Sequence, residues 1–117
     1  QARKLVLRYK QKAHEYELYR PLLDLIDLEK KLPGGRAGEE QLDALHREEA
    51  GALEKLTNTN AYWLLAAQIS RLQRQYQKMQ GEEQQRALTR LFHDPLLMDI
   101  DKATTLQSKI YFLRARA

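Results

Sequence analysis

Apolar residues recur along most of this chain at intervals of three and four, the spacing of a helix that buries one face. β-Branched residues are scarce, with Val6 the only valine, and turn signals are too few for a sheet protein. The pattern therefore predicts an all-α protein. The clearest apolar row consists of Tyr62, Leu65, Ile69, Leu72, Tyr76 and Met79.

Breaks in this pattern divide the chain into helices predicted over residues 2–13, 16–32, 39–80, 82–92 and from about 99 to 117. Pro33 to Gly38 forms the clearest loop and turns the chain back on itself. Proline is tolerated in the first turn of a helix. Pro21 therefore places the start of the second helix between Tyr16 and Arg20.

Two helix boundaries fall in the last third of the chain. Asp94 and Pro95 end the fourth helix, and residues 96–98 are expected in a connecting loop tucked beneath it. Asp99 or Asp101 is expected to cap the last helix.

The long stretch from residue 39 to residue 80 contains two apolar rows that differ in phase by about one residue. The shift falls at Thr57 to Asn60, where every residue is a weak helix former. One continuous, locally deformed helix is favoured, because neither glycine nor proline marks a break. The alternative is two helices, with Asn58 capping the second.

Inward-facing positions follow from the same spacing. Leu5, Tyr9 and Ala13 form the expected inner stripe of the first helix, and Ala103, Leu106, Ile110 and Leu113 that of the last. The residues expected in the core are Leu23, Ile26, Leu65, Ile69, Leu72, Leu88, Leu91, Leu106 and Ile110.

Short loops between helices predict antiparallel pairs, arranged as in a tetratricopeptide-like repeat or α-solenoid, with a simple helical bundle as the alternative. Residues 1–117 are expected to form a single α-helical domain. Neither end carries a helix-ending signal, so the chain is interpreted as a fragment of a longer helical-repeat protein. Its outer helices would then expose Leu5, Val6, Tyr111 and Phe112 and favour self-association.

The segment Tyr16-Glu17-Leu18-Tyr19-Arg20-Pro21-Leu22-Leu23-Asp24-Leu25-Ile26-Asp27-Leu28-Glu29-Lys30-Lys31-Leu32 resembles a helix of a group of uncharacterised bacterial helical-repeat proteins. A second matching segment has His93-Asp94-Pro95-Leu96-Leu97-Met98-Asp99, followed by Lys102-Ala103 and Lys109-Ile110-Tyr111. Asp94, between the histidine and the proline, departs from that family's pattern. The resemblance implies a tetratricopeptide-like helical fold and implies no activity.

The residues that carry chemistry are few. The sequence has no cysteine, only two serines (Ser70 and Ser108) and three separated histidines (His14, His46 and His93). His46 and Glu49 share a helix face, but one histidine with one carboxylate supplies too few ligands for zinc. We therefore expect no catalytic, cofactor or metal site and interpret the protein as non-enzymatic.

Charge is distributed unevenly over a chain of formal net charge +4. The first helix is basic, residues 15–56 are acidic, and the remainder is basic. Nucleic-acid binding through the basic helices is the alternative function. It is disfavoured because the lysines and arginines form no continuous run in the sequence and are not interleaved with aromatic residues. No apolar run approaches a membrane span, and the lack of cysteine favours a cytoplasmic location.

Trp63 is the candidate partner contact. It falls one position away from the apolar row that begins at Tyr62, and tryptophan is enriched at binding hot spots. The competing interpretation is that Trp63 packs against another repeat of a longer protein. The sequence thus predicts a scaffold or interaction module for a protein or peptide partner that it does not identify.

Overall fold

A computed structural model of the chain describes residues 2–32, 39–79 and 81–117. Within these ranges every regular element is helical, which confirms the all-α prediction. The predicted loop from Pro33 to Gly38 lies outside the described residues. The elements are α1 (Ala2–Glu15), α2 (Tyr19–Lys31), α3 (Glu39–Met79), α4 (Glu82–Phe92), α5 (Pro95–Met98), a 3-10 helix (Ile100–Lys102) and α6 (Leu106–Arg116).

Contacts within the chain divide it into two compact units, Gln1–Leu56 and Thr57–Ala117. Helix α3 is continuous across the division, as the sequence favoured. None of the described helices combines the length and the apolar character that crossing a lipid bilayer requires.

The first unit contains α1, α2 and the beginning of α3. A tight turn joins α1 to α2, with Glu17 in the left-handed region at φ 55°. Helix α2 begins at Tyr19, so Pro21 stands in its first turn as predicted. Leu22 and Ile26 are fully buried, and they pack in one cluster with Ala13, Leu45 and Ala52.

The predicted inner stripe of α1 is wrong in two of its three positions. Leu5 and Tyr9 are about half exposed, whereas Val6, Lys10 and Ala13 are buried. Of the two residues of α1 expected to be exposed, Leu5 is exposed as predicted, and the prediction for Val6 is wrong. Sequence patterning treats lysine as an outward-facing residue, but Lys10 is accommodated inside because two carboxylates contact its ammonium group.

The second unit has a core built on the apolar row of α3. Tyr62, Leu65 and Ile69 are buried as predicted, and they pack against α4, α5 and α6. The Tyr62 hydroxyl donates a hydrogen bond of 2.6 Å to the carbonyl oxygen of Leu96. The other buried members of this core are Leu88, Leu97, Ala103, Phe112 and Ala115.

The predicted inner stripe of the last helix is wrong at Leu106 and Leu113, whereas Ala103 is buried as predicted and Ile110 is half-buried. Leu106 and Leu113 are 64% and 58% exposed, whereas Ser108, Phe112 and Ala115 are buried. Phe112 was expected on the exposed side, and that prediction is also wrong. The apolar spacing of Leu106 and Leu113 was misleading because the inner face of α6 begins with polar residues that hydrogen-bond to α3.

The sequence predicted one helix cap in this region, at Asp99 or Asp101, but the structure has three capped helices there. Asp94 caps α5, since its carboxylate accepts from the backbone N–H of Leu96. Asp99 caps the 3-10 helix, and Thr105 caps α6. Residues 96–98, predicted as a loop, therefore form one helical turn with Pro95, in which Leu97 is fully buried and Met98 is exposed.

Candidate interaction surfaces

Trp63 presents a large aromatic surface on α3 in the second unit. Trp63 is 51% exposed, and the next residue, Leu64, is 49% exposed. Successive residues turn by about 100° around an α-helix, so Trp63 lies nearly opposite the buried Leu65. Half-exposed tryptophan next to half-exposed leucine is the kind of surface that a partner protein covers.

A shallow groove lies between α3 and α4 in the same unit. Its volume is about 360 Å³, and its apolar floor consists of Leu72, Ala87 and Leu91, all half-buried. Two arginines with exposed side chains, Arg71 on α3 and Arg90 on α4, line it together with Gln68. The groove thus combines an apolar floor with positive charge.

A second groove lies between α1 and α2 in the first unit. It measures about 390 Å³ and is lined by Tyr9, Leu18, Pro21 and Leu25 among others. Tyr9 and Leu18 are each about half exposed. Lys12 and Asp24, one residue of each charge, also line it, so the groove does not favour a partner of either sign.

A cluster of four linked charged or titratable side chains lies in the first unit. Lys10 Nζ is 2.7 Å from Glu29 Oε1 and 2.7 Å from Glu48 Oε1, with only 9% of the lysine side chain exposed. His14 Nε2 lies 2.7 Å from the other oxygen of Glu48. These pairs tie α1 to both α2 and α3, so the cluster stabilises the unit.

The ion pairs shift the pKa values of the groups that form them. Burial alone would lower the pKa of Lys10, but the hydrogen bonds and charges of Glu29 and Glu48 raise it overall. Burial alone would raise the pKa of Glu48, but Lys10 and His14 lower it overall. Both groups are therefore held in their charged forms, which suits a structural ion pair rather than an acid–base catalyst.

A polar network in the second unit joins α3 to the start of α6. The Asn58 side chain donates to the carbonyl of Lys102 and accepts from the Thr104 N–H and the Ser108 hydroxyl. Thr105 donates to Ser108, which is fully buried. Asn58 is thus a clamp on α6 and not the helix cap considered from the sequence.

Replacing Asn58 with alanine should lower the free energy of unfolding by about 1–3 kcal/mol. The substitution removes the oxygen that accepts from the fully buried Ser108 hydroxyl, together with the exposed bonds to Thr104 and Lys102. Urea unfolding followed by far-UV circular dichroism measures the change. Asn60→Ala on the same helix is the control, because the Asn60 side chain is exposed, and a cost equal to that of Asn58→Ala would refute the clamp.

The histidine contacts do not form a metal site. His46 Nδ1 lies 3.8 Å from Glu49 Oε1, but its side chain is 63% exposed and Glu49 also pairs with Lys30. Across the described ranges, no group of three or more histidine, cysteine or acidic side chains is placed to hold a metal ion.

Sequence reasoning singled out Trp63 but missed both grooves and both polar clusters. A signal for the ion cluster existed, since Lys10 stands four residues after Val6 and three before Ala13 on one helix face. The partners of Asn58 lie more than forty residues away in the sequence, and no local pattern points to them.

Comparisons with known proteins return nothing for this chain: no family model matches it, and neither the curated proteins nor the solved structures contain a significant match.

Proposed function

We propose that this protein is a non-enzymatic helical module that binds another protein, with Trp63 as a principal contact. The half-exposed pair Trp63 and Leu64 carries the proposal. Fully exposing such side chains to water costs free energy that a partner's surface recovers. Tryptophan contacts are also among the largest single contributors to protein–protein binding.

The polar clusters support a binding role over a catalytic one. Lys10 is neutralised by two carboxylates, and the Ser108 hydroxyl is bonded to Asn58 and Thr105 rather than to a general base. As part of the same proposal, the helix pairs belong to a tetratricopeptide-like scaffold. The cysteine-free sequence supports a cytoplasmic location.

Quantitative affinity purification from host cells tests the proposal. Tagged wild-type protein should recover a specific protein that Trp63→Gln recovers at least tenfold less well, while thermal melts of the two remain alike. Leu106→Gln is the matched control, because Leu106 is 64% exposed in the same unit. Equal recovery by all three proteins would contradict a role for Trp63 in binding.

Self-association is expected of the purified chain at high concentration. Many large apolar side chains are more than one-third exposed, among them Leu5, Tyr9, Trp63 and Leu64. Sedimentation equilibrium over a range of concentrations should show mass above that of the 13.8 kDa monomer. A strictly monomeric chain across the range would refute this expectation.

Nucleic-acid binding remains the alternative function, favoured by the exposed cations Arg3, Lys4, Arg8 and Lys12 of α1. We expect no tight binding at physiological salt, because phosphate contacts without base stacking are weak and non-specific. Fluorescence titration with single- and double-stranded oligonucleotides measures this. Sub-micromolar binding that falls steeply with salt would instead favour the alternative.

A further inference from the structure

The groove between α3 and α4 is built for a segment that carries apolar side chains next to acidic ones. Leu72, Ala87 and Leu91 form its floor, and each is half-buried, so the floor contacts water on its open side. At about 360 Å³ the groove lies near the lower end of ligand-pocket sizes and suits a few side chains.

Both charged residues that line the groove are basic. Arg71 and Arg90 line it, and no acidic residue is among its lining. Among the side chains that the structure describes, neither arginine forms an ion pair, whereas Arg86 on the same helix as Arg90 pairs with Glu82. Two unpaired guanidinium groups beside an apolar floor complement carboxylates beside an apolar side chain.

A further exposed apolar residue lies beyond the groove on α3. Leu64 stands four residues before Gln68 and seven before Arg71, so these three residues follow one another along one side of the helix. Leu64 is half exposed and adds an apolar side chain one helical turn beyond Gln68, at the end of the groove. The surface is therefore long enough for a short peptide segment rather than a single side chain.

We propose that the α3–α4 groove binds an acidic segment of a partner protein, with leucine-like side chains on Leu72 and Leu91 and carboxylates on Arg71 and Arg90. The proposal rests on the proposed function and specifies its partner's chemistry. Arginine favours this role because its planar guanidinium group can donate two parallel hydrogen bonds to one carboxylate. The apolar floor disfavours a bare phosphate backbone as the occupant.

A displayed peptide library tests the proposal, with two central leucines fixed and flanking positions drawn from Asp, Glu, Asn, Gln, Ser and Gly. Selection on the wild-type protein should enrich Asp and Glu over their amides. The best peptide should bind the double variant Arg71→Gln, Arg90→Gln at least about tenfold more weakly, by the usual strength of charged hydrogen bonds. Added salt should weaken its binding to the wild type.

Arg114→Gln is the matched control, because Arg114 is exposed on α6 and does not line the groove. All three arginines are exposed, so the variants should melt like the wild type. Loss of acid enrichment, or equal affinity for the double variant, would overturn the groove proposal. In a competition experiment, bound labelled peptide should be displaced by the same peptide without label. Displacement by a short oligonucleotide of equal charge, without displacement by the unlabelled peptide, would also overturn the proposal. The proposed function is judged separately at Trp63, so the two can fail independently.

Discussion

Ile69→Ala should lower the free energy of unfolding of the second unit by about 2–5 kcal/mol. Ile69 is 1% exposed, and it packs in the cluster that contains Tyr62, Leu65 and Leu97. Truncation removes apolar contacts and leaves a cavity that its neighbours fill only in part. Leu72 belongs to the same row but is only half-buried, so Leu72→Ala should cost less.

Fluorescence of the single tryptophan, Trp63, allows the unfolding of the second unit to be measured separately. Trp63 belongs to the second unit, so its fluorescence during urea unfolding follows that unit. Leu106→Ala is the control and should change the midpoint little, because Leu106 is 64% exposed. A large effect at Leu106 would restore the α6 face predicted from the sequence, and a small effect at Ile69 would refute the core described here.

Lys10→Met should destabilise the first unit by about 3 kcal/mol, the lower end of the range for breaking a buried ion pair. The variant leaves Glu29 and Glu48 facing each other across a largely buried site without the cation that neutralises them. Urea unfolding followed by far-UV circular dichroism measures the loss. Lys12→Met, on the same helix with an exposed side chain, should leave stability nearly unchanged.

The destabilisation by Lys10→Met should depend on pH in a defined direction. The pKa of Glu48 lies below its ordinary value of 4.5 in the folded chain, so its stabilising contribution is complete above that pH. The contribution disappears as the pH falls through the lowered value. The pKa of Lys10 lies above its ordinary value of 10.5, so its contribution is complete below that pH.

The difference in unfolding free energy between wild type and Lys10→Met should therefore be larger at neutral pH than in acid, where it should shrink. Protonation then removes the charges that the variant leaves unpaired. Urea unfolding in a series of buffers tests this. A difference that does not change from neutral to strongly acidic pH would mean that Lys10 acts through packing alone.

Apolar spacing was sufficient to predict where most of the helices lie, because apolar residues recur at intervals of three and four along them. The row from Tyr62 to Ile69 and the bounds of α4 are predicted from such local information. The faces of α1 and α6 could not be predicted in this way. Their inner positions include Lys10 and Ser108, polar residues that are buried only because partners from distant segments satisfy them.

The candidate site was likewise predictable only where it depends on local sequence. An isolated tryptophan next to an apolar row is visible in the sequence, and the structure places Trp63 half in solvent. The α3–α4 groove is not visible, because Arg71 and Arg90 come together only when two helices pack. Spatial pairing of this kind depends on tertiary contacts that the spacing within one helix does not encode.

Site-specific photo-cross-linking in host cells tests the central claim, that this chain binds a protein through α3. A photoreactive amino acid at position 63 should give one predominant cross-linked protein. The same probe at position 83, an exposed polar site on α4, should give little of that product. Equal, diffuse cross-linking at both positions, or none at position 63, would contradict the claim.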